Sequence, residues 1–250
     1  MKLLLALGLA ALATAQIPIP KREVGFVYNS GSPMAPVHLD FYIDQICPDS
    51  KQAWPTILKL ADTYGPSVLQ LTTHLFPLPY HRNSFYASKG SHIVNQQTKG
   101  ANTYLWIQTV YSNIDSLTNA VTLNLSDTQI IDKYAAIASG VGVPVATFKS
   151  LILDDTIEMD TRVEWKYCCT RGVAATPTFM LNDILVAADP SWTVAQWKQV
   201  IDPLLGFHAS KRQMSTRTCP AGVKQCEYLP GKVECCKTGE FCIPNVGCRC

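Results

Sequence analysis

Val37, Leu39, Phe41 and Ile43 alternate with His38, Asp40, Tyr42 and Asp44, a period of two that predicts a strand with one strongly apolar face. Cys47-Pro48-Asp49-Ser50 follows directly, and then Trp54, Ile57, Leu58, Leu60, Ala61 and Tyr64 repeat at helical spacing until Gly65-Pro66 stops them. Pro48 suits a first helical turn, where its missing N–H costs nothing, whereas Pro55 lies deeper and predicts a kink. A second apolar run, Ser67 to Phe76, predicts a strand parallel to the first, because a helix connects the two. From about residue 81 to 165 the pattern is mostly helical, with Ser126-Asp127 as an N-cap and a break over Gly140 to Pro144. Thr178 to Leu181 and Ile184 to Val186, joined by Asn182-Asp183, predict a hairpin, and Thr193 to Leu205 predicts a closing amphipathic helix. The expected fold class is α/β: a small mixed sheet with a long helical insertion between its halves.

Composition adds compartment and excludes some partners. Hydrophobic residues make up 47% of the 250 and charged residues 16%, so the body can bury a core. The net charge of +2 becomes about −1 once Lys2, Lys21 and Arg22 are removed, and no Lys/Arg stripe offsets it, which argues against nucleic acid as a partner. Lys2, the apolar run Leu3 to Ala13 and the small-residue site Ala13-Thr14-Ala15 predict a secretory signal peptide over residues 1–15. No later segment is apolar for long enough to span a bilayer. Residues 16–22 form a candidate pro-segment ending at Lys21-Arg22. A second Lys211-Arg212 pair lies in the polar stretch 207–218, expected to be a linker; such pairs also arise by chance in solvated segments. Asn124-Leu125-Ser126 is a glycosylation sequon. Ten cysteines fit an oxidising, secreted or luminal setting.

Chemistry concentrates at the strand–Cys47-Pro48-Asp49-Ser50–helix junction and at Arg171 to Phe179, where Thr176-Pro177 opens a strand. With the helical insert and the segment Phe76-Pro77-Leu78-Pro79-Tyr80-His81-Arg82-Asn83, they resemble the DsbA-like branch of the thioredoxin superfamily over about residues 35–206. The resemblance implies a thioredoxin-like fold over 23–206. It also implies a reactive Cys47, a cis Pro177, and a Thr176 backbone that pairs with an extended substrate chain beside Pro48. The start of a helix carries about half a positive charge, which favours a thiolate there, and a thiolate is the form that attacks a disulfide.

Two positions depart from the family. Ser50 stands where a dithiol enzyme has its resolving cysteine, and Asp49 replaces the family's common histidine. A two-cysteine oxidase mechanism through Cys47 and Ser50 is therefore excluded. Monothiol exchange on polypeptide thiols and disulfides remains, of the isomerase or reductase type, with Ser50 as a hydrogen-bond donor and glutathione as a co-substrate. No metal or bound organic cofactor is expected, since His74, His81, His92 and His208 show no ligand spacing with cysteine. Cys168 and Cys169 are either surrogate resolving thiols or structural half-cystines paired with each other, with Cys47 or with the C-terminal region; structural pairing is the favoured reading. The alternative function is a redox-inactive binding or chaperone-like scaffold, and a glutathione transferase is a further rival.

Residues 219–250 hold Cys219, Cys226, Cys235, Cys236, Cys242, Cys248 and Cys250, too short a stretch to fold without cross-links. The first six spacings resemble an inhibitor cystine knot, with granulin-like stacks a looser match. The knot would imply the pairs Cys219–Cys236, Cys226–Cys242 and Cys235–Cys248, leaving Cys250 over. The odd seventh cysteine could bond to Cys168 or Cys169 and dock a partner-binding module onto the body.

Overall fold

The computed structural model describes residues 19–20, 23–212, 224–229, 232–236, 241–243 and 247–249. The expected signal peptide, most of the candidate pro-segment with its Lys21-Arg22 site, residues 213–218 of the expected linker, Cys219 and Cys250 lie outside them. In chain order the elements are β1 (Phe26–Val27), β2 (Val37–Ile43), α1 (Pro48–Tyr64), β3 (Leu69–Leu75), α2 (Ser84–Thr98), α3 (Thr103–Ser112), α4 (Asn119–Thr122), α5 (Asp127–Gly140), α6 (Val145–Leu151), α7 (Asp155–Thr170), β4 (Thr178–Leu181), β5 (Ile184–Val186) and α8 (Val194–Arg212). Four short C-terminal strands follow: β6 (Lys224–Leu229), β7 (Lys232–Cys236), β8 (Phe241–Ile243) and β9 (Gly247–Arg249). Among the described residues no helix is long and apolar enough to cross a membrane.

Five strands form one sheet in the order β1-β3-β2-β4-β5. Val37 N–H donates to Val68 C=O at one end of the β2–β3 pair and Phe76 N–H to Ile43 C=O at the other, so these strands run parallel, as the intervening helix requires. Asn182 N–H donates to His38 C=O, which sets the end of β4 beside the start of β2. β4 and β5 pair antiparallel through Asn182 and Asp183, both at positive φ (47° and 69°), the geometry of a tight hairpin turn. The sheet is therefore mixed, and the fold is thioredoxin-like.

The described residues divide into two compact units, one from residues 19–26, 42–51 and 73–178, the other from 27–41, 52–72 and those after 178. In the second, Phe41 stacks on Trp54 and on Phe179 (ring centroids 6.1 and 5.1 Å apart), and Trp197 meets Phe179 edge-on at 5.0 Å. Helix α1 continues through Pro55 and ends at Tyr64, just before Gly65, whose φ of +77° favours glycine past a helix C-terminus. In the first unit, α2, α3, α5 and α6 close around the buried Trp106, which touches Tyr134 and Phe148 and donates through Nε1 to Ala87 C=O. Ser126 caps α5 in a reciprocal capping box with Gln129. Gly90 on α2 faces the Trp106 ring so closely that an added Cβ would sit 2.1 Å from it. Gly90→Ala should therefore destabilise the fold by about 2 kcal/mol or more despite alanine's better helix propensity, read as a lower thermal midpoint.

Two expectations about element ends need correction. The insert's last helix, α7, runs to Thr170 instead of stopping near Trp165. Helix α8 runs to Arg212, so the first half of the stretch expected to be a linker, Lys211-Arg212 included, is helical.

The C-terminal strands form two hairpins, β6–β7 and β8–β9. Cys226–Cys242 and Cys236–Cys248 are disulfides, each tying a strand of one hairpin to a strand of the other. The first is the knot-like pair; the second overturns Cys219–Cys236 and Cys235–Cys248. The reason is the two-residue period of a strand. Cys226 lies opposite Glu234 in the β6–β7 register, so Cys236 shares its face and meets β9, while the adjacent Cys235 points the other way. Cys235 is also disulfide-bonded.

Candidate active site

Strand β2 delivers the chain to Asp44-Gln45-Ile46, and α1 starts two residues later, at Pro48. Cys47 N–H donates to Asp44 C=O (3.1 Å), and Cys47 C=O accepts from Lys51 N–H (3.0 Å), which makes Cys47 the residue that caps α1. Its thiol is free and donates to Thr176 C=O at 3.3 Å. The Thr176–Pro177 peptide is cis. The two segments separated by 129 residues thus meet at the sulfur. Pro48 and Asp49 are exposed beside it, Ser50 is fully buried in the first turn, and Cys47 itself is 4% exposed.

The junction is held by a carboxylate that sequence reasoning passed over. Asp44 is fully buried. Its Oδ1 accepts from Ile46 N–H (2.7 Å) and the Ser84 hydroxyl, and its Oδ2 accepts from Leu78 N–H and His81 Nδ1, both at 2.8 Å. Tyr111 donates to the Asp44 backbone carbonyl at 3.4 Å. Burial, followed by the nearby charges of Asp44 and Cys47, pushes the Tyr111 hydroxyl well above the ordinary phenol range, with a contact to Ser50 opposing them, so it stays a donor.

The segment Phe76 to Asn83 supplies the rest of the bracing. His81 holds Asp44. Arg82 donates to the carbonyls of Thr122, Leu123 and Leu125. Asn83 reaches Leu117 C=O and the Thr122 hydroxyl, both at 2.7 Å. Arg82 thereby orders the turn that carries Asn124, which is exposed.

Cys168 and Cys169 are both free thiols, contrary to the expected structural pairing. Consecutive residues on a helix point about 100° apart, so α7 buries Cys168 and exposes Cys169. Cys168 donates to Leu75 C=O at 3.6 Å, one turn beyond the buried Glu164, which accepts from Leu75 N–H and faces His92 Nε2 at 2.8 Å. Burial, then Glu164, then Cys169 push the Cys168 thiol far above the usual range, and burial also raises that of Cys169. Among the described residues no contact joins either to Cys47. Brief iodoacetamide treatment of native protein should label Cys169 ahead of Cys168, which should react only on unfolding; mass mapping of the cysteine peptides reads the order.

A helix-capping free thiol against a cis-proline loop, on a mixed sheet interrupted by a helical insert, defines the thioredoxin-fold class. The model of a family described as thioredoxin matches residues 25–203, and the chain belongs to that family. Solved structures share the fold: a candidate protein-disulfide isomerase of Pseudomonas syringae (17% identity, TM-score 0.62, covering 71% of this chain and 97% of that one), α-DsbA1 of Wolbachia pipientis (22%, 0.58, 78% and 96%) and oxidised BdbD of Bacillus subtilis (16%, 0.58, 73% and 93%). No curated protein matches the chain in sequence.

Proposed function

We propose that this chain is a secreted or luminal thiol–disulfide exchange protein working through the single cysteine Cys47. The observation that carries this reading is the contact between the Cys47 sulfur, at the first turn of α1, and the Thr176 carbonyl beside Pro177. The Cys47 thiolate attacks one sulfur of a substrate disulfide R–S–S–R′, forming Cys47–S–S–R and expelling R′–S⁻, which takes a proton from solvent. Ser50 offers a hydroxyl, not a sulfur, so release needs an external thiol. Glutathione or a second substrate thiol gives up its proton, attacks the mixed disulfide and restores Cys47. The cycle is redox-neutral isomerisation when that thiol belongs to the substrate. It is reduction when two glutathione molecules serve: the first leaves as R–S–S–glutathione, and the second attacks the glutathione sulfur of that disulfide, forming oxidised glutathione and freeing R–SH. Thr176 and Pro48 would align the substrate chain. Similarity of fold to the thiol-disulfide exchange protein α-DsbA2 of Wolbachia pipientis and to the candidate protein-disulfide isomerase supports the same reading.

The test is trapping. Protein incubated with scrambled-disulfide ribonuclease and quenched with acid should carry a mixed disulfide mapped by mass to Cys47. An adduct confined to Cys169, or none at all, would defeat the proposal. The near-complete burial of Cys47 favours the second reading, a redox-inactive binding scaffold, and the same experiment decides between them.

A further inference from the structure

The face of α7 away from Glu164 forms one wall of a groove of about 600 Å³, within the size range of ligand clefts; the Phe76–Arg82 loop forms the other. Phe76 and Trp165 lie in near-parallel planes, 3° apart, at its floor, and Trp165 and Tyr80 remain 38% and 61% exposed. The two sides of α7 differ in charge. Arg162 and Lys166, one turn apart, line the groove, whereas Asp160 faces a separate cavity beside Glu23. Among the described residues neither Arg162 nor Lys166 makes an ion pair, and no carboxylate lines the groove. Arg82, the third cation there, is already committed to three backbone carbonyls.

Both walls lead toward the reactive sulfur. Ala174 lines the groove two residues before Thr176, about 7 Å of extended chain at most. His81 lines it while holding Asp44, three residues before Cys47. An occupant long enough to leave the groove at this end is within a few residues' reach of the thiol, which suits a polypeptide better than a small free molecule. We infer that the groove binds an extended segment of substrate protein in which an aromatic or aliphatic side chain, seated on Phe76 and Trp165, is flanked by a carboxylate facing Arg162 and Lys166. The inference rests on the exchange reading for its link to Cys47, but the recognition itself is separable from the chemistry.

The experiment uses the full chain as Cys47→Ser, so that binding is read without exchange. Fluorescence anisotropy with labelled Gly-Glu-Leu-Glu-Phe-Ser-Gly and its lysine-for-glutamate counterpart should show the acidic peptide binding about fivefold tighter or more, with the difference shrinking at high salt. Combined Arg162→Glu and Lys166→Glu should reverse that preference, and Trp165→Ala should weaken both peptides. Equal binding of the two peptides, or a preference untouched by charge reversal, overturns the inference, as do binding of decanoate without the peptide and self-association of the chain through this face. Discrimination by the groove in a wild-type protein that shows no turnover would sink the exchange reading alone and leave the recognition standing.

Discussion

Cys47→Ser is expected to bring disulfide-exchange turnover down to the uncatalysed rate while changing folding stability by about 1 kcal/mol. The two halves of this expectation have different causes. Turnover requires a sulfur that ionises, attacks a disulfide and leaves again; a hydroxyl at the same place does none of these near neutral pH. Stability is spared because a serine hydroxyl can donate to the Thr176 carbonyl much as the thiol does, and because the cap of α1 depends on the backbone of this residue. The companion variant, Ser50→Cys, adds what the chain lacks. An i,i+3 pair at a helix start falls within the Cα–Cα window of about 4.4–6.8 Å that a disulfide spans. A cysteine at position 50 should therefore release the mixed disulfide internally, removing the need for glutathione and introducing net oxidation of reduced ribonuclease once the new pair is oxidised. Reactivation of scrambled ribonuclease with and without glutathione reads both effects. Undiminished turnover in Cys47→Ser would rule out this sulfur as the nucleophile.

The part of this architecture that could be read from sequence is the part written over short distances. The alternation in β2, the stop at Gly65 and the Asn182-Asp183 turn are set by neighbours within a few residues, and each appears where the pattern puts it. The meeting of Cys47 with Thr176 was legible through resemblance, since no local periodicity links residues 129 apart. Asp44 was not legible. An aspartate that ends a strand reads as a solvated turn residue, and its burial becomes apparent only once Leu78, His81 and Ser84 close over it from more than thirty residues away. The pairing expected for Cys168 failed for a related reason. With the helix ended near Trp165, the two cysteines fall in a loop that could reach many partners, whereas continuation to Thr170 turns one inward and the other to solvent. In the C-terminal hairpins the spacing of cysteines was informative, but which of two adjacent cysteines faces inward depends on strand register.

Asp44→Ala should lower stability more than any single change at the nucleophile, by about 4 kcal/mol, or about 10 °C in thermal midpoint for a domain of this size. The fully buried carboxylate accepts four hydrogen bonds, two from the backbone N–H groups of Ile46 and Leu78 and two from the side chains of Ser84 and His81. Alanine leaves all four donors without an acceptor, and a buried donor that loses its partner costs more than the bond itself contributes. Asp44→Asn should be milder but still harmful, because the amide keeps one acceptor oxygen and turns an N–H₂ group toward two donors. His81→Ala should cost least, since the histidine is partly exposed and water can replace it at Oδ2. The expected order of thermal midpoints is therefore wild type, His81→Ala, Asp44→Asn, Asp44→Ala. Exchange should fall in the same order, because the strand–helix junction that aims the sulfur hangs on this fully buried residue. A positioning role predicts that the loss of turnover shrinks on cooling, as the junction re-forms, whereas the Cys47→Ser loss persists at every temperature. An Asp44→Ala protein within about 3 °C of the parent would show that the four hydrogen bonds do not hold the junction.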